Sequence, residues 1–264
     1  GVALRGGEPV QLAAAGDSDS LRGLLGNAQG KPDVWAWAYG SFTDVDNDGA
    51  TPGFDTKTGG FLIGRDLPRS DGGFSMGLAA GYSHTSVTEG GVNDATLNTV
   101  RVAAYGGWLD GPVTLGGTLG YGYHHVDADR AVPSTGGIAG TDYGIHEASA
   151  ALQAAAPTQA GNVTLTPRVG VQYIRLWEDN FTEEGAPGFN LSGDGRQVDS
   201  LRPFAALSAS RVFRTGEVGT VTPSAEIAYS REVLDAAPHG NVSVAGYRYA
   251  VAALEAARDR LSVG

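Results

Sequence analysis

From about residue 33 onward, apolar and small or polar residues alternate along the chain with a period of two. Successive side chains of a β-strand point to opposite faces, so this alternation predicts strands with one apolar face. In the run Phe74–Tyr82, Phe74, Met76, Leu78, Ala80 and Tyr82 share one face, while Ser75, Gly77, Ala79 and Gly81 share the other. The pattern recurs with Val100, Val102, Ala104 and Trp108 against Thr99, Arg101, Ala103 and Tyr105. It recurs again around Val113–His124, Val163–Tyr173 and Val221–Ser230. Nine strands are predicted, at 33–43, 56–67, 73–87, 96–109, 112–126, 143–156, 162–177, 200–213 and 219–231, and a tenth begins near Asp259. The connections alternate between short ones (Pro68–Gly72, Asp110–Gly111, Pro157–Gly161, Arg214–Val218) and long ones (Asp44–Asp55, Thr88–Ala95, Asp127–Asp142, Glu178–Asp199, Glu232–Arg258). Outer-membrane barrels show this asymmetry, with tight periplasmic turns and long outer loops.

The composition of the two faces separates a soluble sandwich from a membrane barrel. A soluble sheet turns its polar face to water and should fill it with Lys, Glu and Arg. Here that face carries Gly, Ser, Thr and Ala with sparse charges, which suits the crowded, wet interior of a barrel. Arg101, Glu147, Arg168, Gln172, Arg202 and Glu226 fall in this inner phase, Glu147 least clearly, and are expected to line a lumen. A lumen must satisfy its charges, so they serve equally as routine filling and as a lining for a passing polypeptide. The apolar faces end in Tyr82, Trp108, Tyr121, Tyr123 and Tyr173, the placement expected of interface aromatics. Most of the 29 acidic residues gather in the long connections.

Composition narrows the class further. Glycine supplies 41 of 264 residues, roughly twice ordinary usage, without the register of a collagen. The chain has no cysteine, which excludes a disulfide scaffold, a zinc-thiolate site and a thiol nucleophile. The net charge of −11 leaves no basic stripe for nucleic acid. No run of apolar residues is long enough for a transmembrane helix, and the first thirty residues lack the layout of a signal peptide. Residues 1–16 show no period; within 17–32, Asp19 or Ser20 could cap a short helix that ends at Gly26 or Gly30.

Motifs of chemistry are weak. Gly73-Phe-Ser75-Met-Gly77 matches a hydrolase elbow, which needs its serine on a sharp strand-to-helix turn. Ser75 instead begins an unbroken alternating strand. Asp44, Asp46 and Asp48 with Asp55 resemble part of a calcium loop without its flanking helices, and read better as an acidic hairpin tip. The five histidines have no ligand spacing, and His124 and His125, adjacent in a strand, point to opposite faces. No catalytic residue, metal or cofactor is expected.

Taken in order, Trp35-Ala-Trp37-Ala-Tyr39-Gly40-Ser41, Thr58–Gly64, Met76–Ser83, Ala104–Trp108, Leu201–Phe204 and Arg258–Gly264 resemble the C-terminal translocator domain of bacterial autotransporters, the type V secretion proteins. The resemblance covers 33–264 and implies an all-β, antiparallel transmembrane barrel of twelve strands, preceded by a helix that threads the lumen, here within 17–32, with 1–16 as the end of a passenger or linker. It implies residence in the outer membrane of a Gram-negative bacterium, display of an N-terminal passenger at the cell surface, and the lipid bilayer, the barrel-assembly machinery and the passenger as partners. By the same comparison, two strands and most of a third would lie beyond Gly264, and without them the first and last strands would be open edges. No Asn-Asn junction of the self-cleaving members occurs before residue 33. A small-solute porin and an adhesin with acidic binding loops are the other functions such a barrel allows.

Overall fold

The computed structural model describes residues 34–45, 53–68, 73–90, 93–108, 110–214, 220–234, 239–252 and 258–264. Segments 1–16 and 17–32, with the expected helix, lie outside them. In chain order the strands are β1 (Val34–Val45), β2 (Phe54–Asp66), β3 (Phe74–Glu89), β4 (Asn93–Trp108), β5 (Thr114–Val132), β6 (Gly137–Ala155), β7 (Thr158–Ala160) and β8 (Val163–Glu178). There follow β9 (Phe181–Thr182), β10 (Leu191–Gly193), β11 (Arg196–Ser210), β12 (Phe213–Arg214), β13 (Thr220–Val221), β14 (Ser224–Arg231), β15 (His239–Val244), β16 (Tyr247–Ala252) and β17 (Asp259–Val263). No helix occurs among the described residues.

The main sheet of eleven strands runs β1-β2-β3-β4-β5-β6-β8-β11-β14-β17, with β7 beside β8. Every pairing along this path is antiparallel, so the chain winds up and down as a meander of hairpins. No ladder joins β1 to β17 among the described residues. Burial is inverted relative to a water-soluble sheet. Leu119 is 66% exposed while Arg168, on the other face, is 1% exposed. Ser75, Ser83, Thr99 and Arg101 are buried, whereas Leu78, Val100, Val102 and Leu115 stand out. A single sheet buries one face in this way only if it curls around it. The apolar face then needs an apolar solvent, which is lipid.

Several strands exceed the lengths that alternation predicts. The connections Thr88–Ala95 and Asp127–Asp142 were expected as long loops, but β3 and β4 pair out to Glu89 and Asn93, and β5 and β6 out to Val132 and Gly137. There the β5–β6 hairpin buries Val132 and Ala139 against Ala186 of the β8–β11 connection, so backbone pairing continues after the apolar-polar alternation has stopped. The strand expected over 219–231 is split into β13 and β14, because Pro223 has no N–H for the ladder; its carbonyl instead accepts from the Arg211 amide at 3.1 Å. The long connection Glu232–Arg258 contains the hairpin β15–β16, joined by Ala245-Gly246, both at positive φ (51° and 81°). This hairpin pairs with β10 to build a separate sheet, β16-β15-β10-β9. At the same end, Val132, Ala139 and Ala186 form a small apolar core. Arg130 grips Glu183 with both limbs of its guanidinium (2.9 and 2.5 Å), closing the β8–β11 connection onto the β5–β6 hairpin.

Candidate functional site

The buried face of the main sheet carries the charges, and register explains how they meet. Arg101, Gly122 and Glu147 are cross-strand neighbours on β4, β5 and β6. Arg101 Nη2 reaches over β5 to Glu147 Oε2 at 3.2 Å. A Cβ at Gly122 would lie 3.3 Å from Arg101 Cγ, so the missing side chain is what leaves the path open. His124 Nε2 lies 3.2 Å from the same carboxylate oxygen, and its Nδ1 hydrogen-bonds Thr99 Oγ1 at 2.9 Å. Four side chains on three strands thus close one network. Glu147, the least certain inner-phase residue by alternation, is its centre and is buried.

Toward the short-turn end, Tyr105 makes the same kind of crossing. It lies over Gly77 of β3, where a Cβ would meet its ring at 2.3 Å. Its hydroxyl donates to Asp66 of β2 and accepts from Trp35 Nε1 of β1 at 2.8 Å. Alternation places these residues in the inner phase but gives no hint that they touch.

The remaining predicted inner residues are distributed along the wall. Arg168 donates to Glu226 Oε2 at 2.5 Å across β11. Gln172 and Arg202 are directly paired on β8 and β11. Arg202 Nε bonds Glu232 Oε2 at 3.0 Å. Glu232 escaped the sequence reading because it follows the end of β14, although Glu226, Ala228 and Ser230 already set its phase. Its carboxylate also accepts from Ser200 Oγ (2.5 Å) and from the amides of Leu201 and Leu234 (2.9 and 3.1 Å). Burial opposes its charge, yet the Ser200 and backbone bonds together with Arg202 hold it below the ordinary carboxylate range.

On the exposed face, tyrosines recur in one local arrangement. Tyr82, Tyr121 and Tyr173 each hydrogen-bond a polar side chain on the next main-sheet strand, two residues from their register partner. The acceptors or partners are Asn98 Oδ1 (2.7 Å), His146 Nδ1 (2.6 Å) and Asp199 Oδ1 (2.5 Å). Tyr229 and Asp259 Oδ1 repeat it at 2.5 Å. Tyr123 packs on the His146 ring at 5.1 Å. Trp108 is at the opposite, short-turn end of the strands, 5.3 Å from Phe74. The polar ring of acceptors lies beyond the tyrosines toward the long connections, and the aliphatic side chains lie between Trp108 and the tyrosines.

Other candidates do not assemble. Ser75 is within the extended β3, opposite Gly107, rather than on an elbow. Asp44 faces Asp55 across β1 and β2, while Asp46 and Asp48 lie outside the described residues. His125 is on the exposed side, 3.5 Å from Asp127.

Residues 34–264 match the family model described as the autotransporter beta-domain. The translocator domain of the autotransporter NalP from Neisseria meningitidis superposes with a TM-score of 0.68 at 14% identity, over 93% of this chain and 91% of that one. The beta domain of the Bordetella autotransporter BrkA gives 0.61 at 18% identity, over 88% and 95%. An extracellular serine protease of Serratia marcescens is 27% identical over 214 residues, 79% of this chain but 19% of the relative. The chain thus spans about a fifth of the length of that curated relative. With an antiparallel wall that shelters charge and exposes aliphatic and aromatic side chains, the chain belongs to the autotransporter beta-domain family of outer-membrane β-barrel translocators.

Proposed function

We propose that the chain anchors an N-terminal passenger in the outer membrane and carries it to the cell surface. The observation that carries this reading is the inverted burial. Arg101, Glu147 and Arg168 are sheltered while Val100, Leu152 and Val169 are exposed on the same strands. Such a wall is stable only with lipid outside and a polar interior inside. In this reading Arg101, Glu147, Arg168, Gln172, Arg202 and Glu226 line the lumen. Tyr82, Tyr121, Tyr123 and Tyr173 mark the outer membrane interface, and Trp108 the inner one.

Residues 33–264 act as the barrel, and the segment before it as the connection to the passenger. The barrel-assembly machinery is the partner that inserts it. We assign the chain no catalytic step of its own; the protease activity in the name of the Serratia marcescens relative is that protein's, of which this chain covers 19%. The test is display. An epitope fused ahead of residue 1 of the full-length barrel should become accessible to antibody on intact cells. Efficient membrane insertion with the epitope retained inside would refute the translocator reading, and high single-channel conductance of the same protein would favour a porin.

A further inference from the structure

The inner face of β1 carries three aromatic side chains in succession, Trp35, Trp37 and Tyr39. Trp35 lies over Gly64 of β2, where a Cβ would meet its ring at 2.1 Å. Tyr39 lies over Gly60 of β2, where a Cβ would meet its Cζ at 2.8 Å. Both rings therefore lean onto β2, into space that glycine leaves free. Trp35 is held further by its Nε1, which donates to the Tyr105 hydroxyl at 2.8 Å. Trp37, between them, stacks on Tyr39 with ring centroids 5.2 Å apart and planes at 23°. The three rings form a ridge along the strand.

Register sets this ridge against the rest of the wall. Trp37 begins a row that continues through Leu62, Gly81, Arg101, Gly122 and Glu147 on β2 to β6. Leu62 packs down over Gly81, where a Cβ would meet its Cδ2 at 2.4 Å, and is buried. Arg101 and Glu147 are buried against each other and are neutral as a unit. Trp37, by contrast, is 46% exposed. A chain moving through the lumen at this level thus meets low or self-satisfied side chains on β2 to β6 and an open indole on β1. The direction of β1 says which chain that is. β1 leads into the long connection to β2, so Val34 is at the short-turn end of the wall. A passenger tethered to Val34 and displayed outside reaches that end through the lumen, beside the strand to which it is joined. An extended chain presents side chains of every kind in turn. A ring face accepts apolar groups in many orientations, without the fixed geometry of a hydrogen bond.

We propose that the Trp35–Trp37–Tyr39 ridge is the surface along which the exported polypeptide slides in extended form, with Trp37 as its contact. The proposal rests on the translocator reading above. Trp35 and Tyr39 brace the ridge against β2, and the neutral Arg101–Glu147 pair leaves the chain free to move on.

The experiment uses the full-length protein with its passenger, halted during export by a disulfide-bonded loop placed at either of two positions in the passenger. A photo-reactive benzoylphenylalanine is placed at Trp37, or at Ala38 on the outward face of the same strand. Position 37 should capture passenger residues, and the captured residues should change when the halting loop is moved. Position 38 should capture none. Capture at position 37 confined to residues 1–33 for both placements, or no capture there, would overturn the proposal. In a second arm the passenger carries no halting loop. Trp37→Ala should slow its appearance at the surface roughly fivefold, the scale of one lost ring contact, and Trp37→Phe should restore it. Heat-modifiable migration checks that both variants are folded, and a folded Trp37→Ala that exports at the wild-type rate would overturn the role of the ring. Display by wild type without capture at position 37 leaves the translocator standing and removes the ridge, whereas display absent from wild type overturns the translocator itself.

Discussion

Arg101 and Glu147 are joined across an intervening strand, and the register partner of both on that strand is Gly122. The ion pair therefore ties three strands where a pair on adjacent strands would tie two. Truncating one member leaves the other buried without its charge partner, a change that costs about 3–5 kcal/mol for a buried pair. Glu147→Ala should lower stability by about that amount, and Arg101→Met with Glu147→Leu should be milder than Glu147→Ala alone. Urea unfolding of the membrane-inserted barrel, followed by tryptophan fluorescence, checks the order. A double variant less stable than the single one would contradict the bridge.

Glycine at 122 is a separate test of the same geometry. A Cβ there meets Arg101 Cγ at 3.3 Å, closer than ordinary contact, and a longer branch would stand in the guanidinium's path. Gly122→Val should weaken the barrel, whereas Gly59→Val, where a Cβ meets nothing within 4 Å, should not. Thermal loss of heat-modifiable migration gives the comparison.

The two faces can be probed at adjacent residues. Leu119 is exposed on the aliphatic band, and Thr118 is on the opposite face beside Tyr105. Arginine at Leu119 should cost about 2–4 kcal/mol, the penalty for that side chain near the bilayer midplane. Arginine at Thr118 should cost clearly less. Equal penalties would mean that the strand is slipped by one residue.

Acid should loosen the junction above β14. The folded Glu232 carboxyl is held below its ordinary value, so its contribution is present above the unfolded pKa and is lost as pH falls through the lower folded value. Protection of the Leu201 and Leu234 amides from hydrogen exchange, relative to the intrinsic rate at each pH, should fall in that range, since both are bonded to this carboxylate. Glu232→Gln should show the faster exchange at neutral pH and flatten the dependence. Protection unchanged by acid would remove Glu232 from that role.

The hairpin β15–β16 turns through Ala245 at φ 51°, a left-handed conformation that costs an L-residue about 1 kcal/mol. Ala245→Asn, suited to the first position of such a turn, should slow proteolysis between β15 and β16. Faster cleavage would show that the turn is not left-handed in solution.

The chain's own order of residues determined which way each strand faces. Val100 and Arg101, or Leu119 and Thr118, are separated because a strand's period of two is a local property, fixed by backbone geometry before any partner strand arrives. It also determined the class of solvent: a face of Leu, Val and Tyr on strands such as β4, β5 and β8, opposed by Gly, Ser and Thr, admits lipid on one side only. The tertiary structure decided which residues meet. That Arg101 finds Glu147, 46 positions away, follows from the register of two hairpins and from an absent side chain at Gly122. That Tyr82, Tyr121 and Tyr173 each find a polar partner on the next strand follows from diagonal offsets that no single strand encodes. Toward the long connections the alternation ends, and burial there depends on what packs on the hairpin, as Ala186 does on Val132 and Ala139. The packing of Ala186 on the β5–β6 hairpin, the docking of β15 on β10 and the bonds from Ser200, Leu201 and Arg202 to Glu232 were therefore set by partners brought from distant parts of the chain.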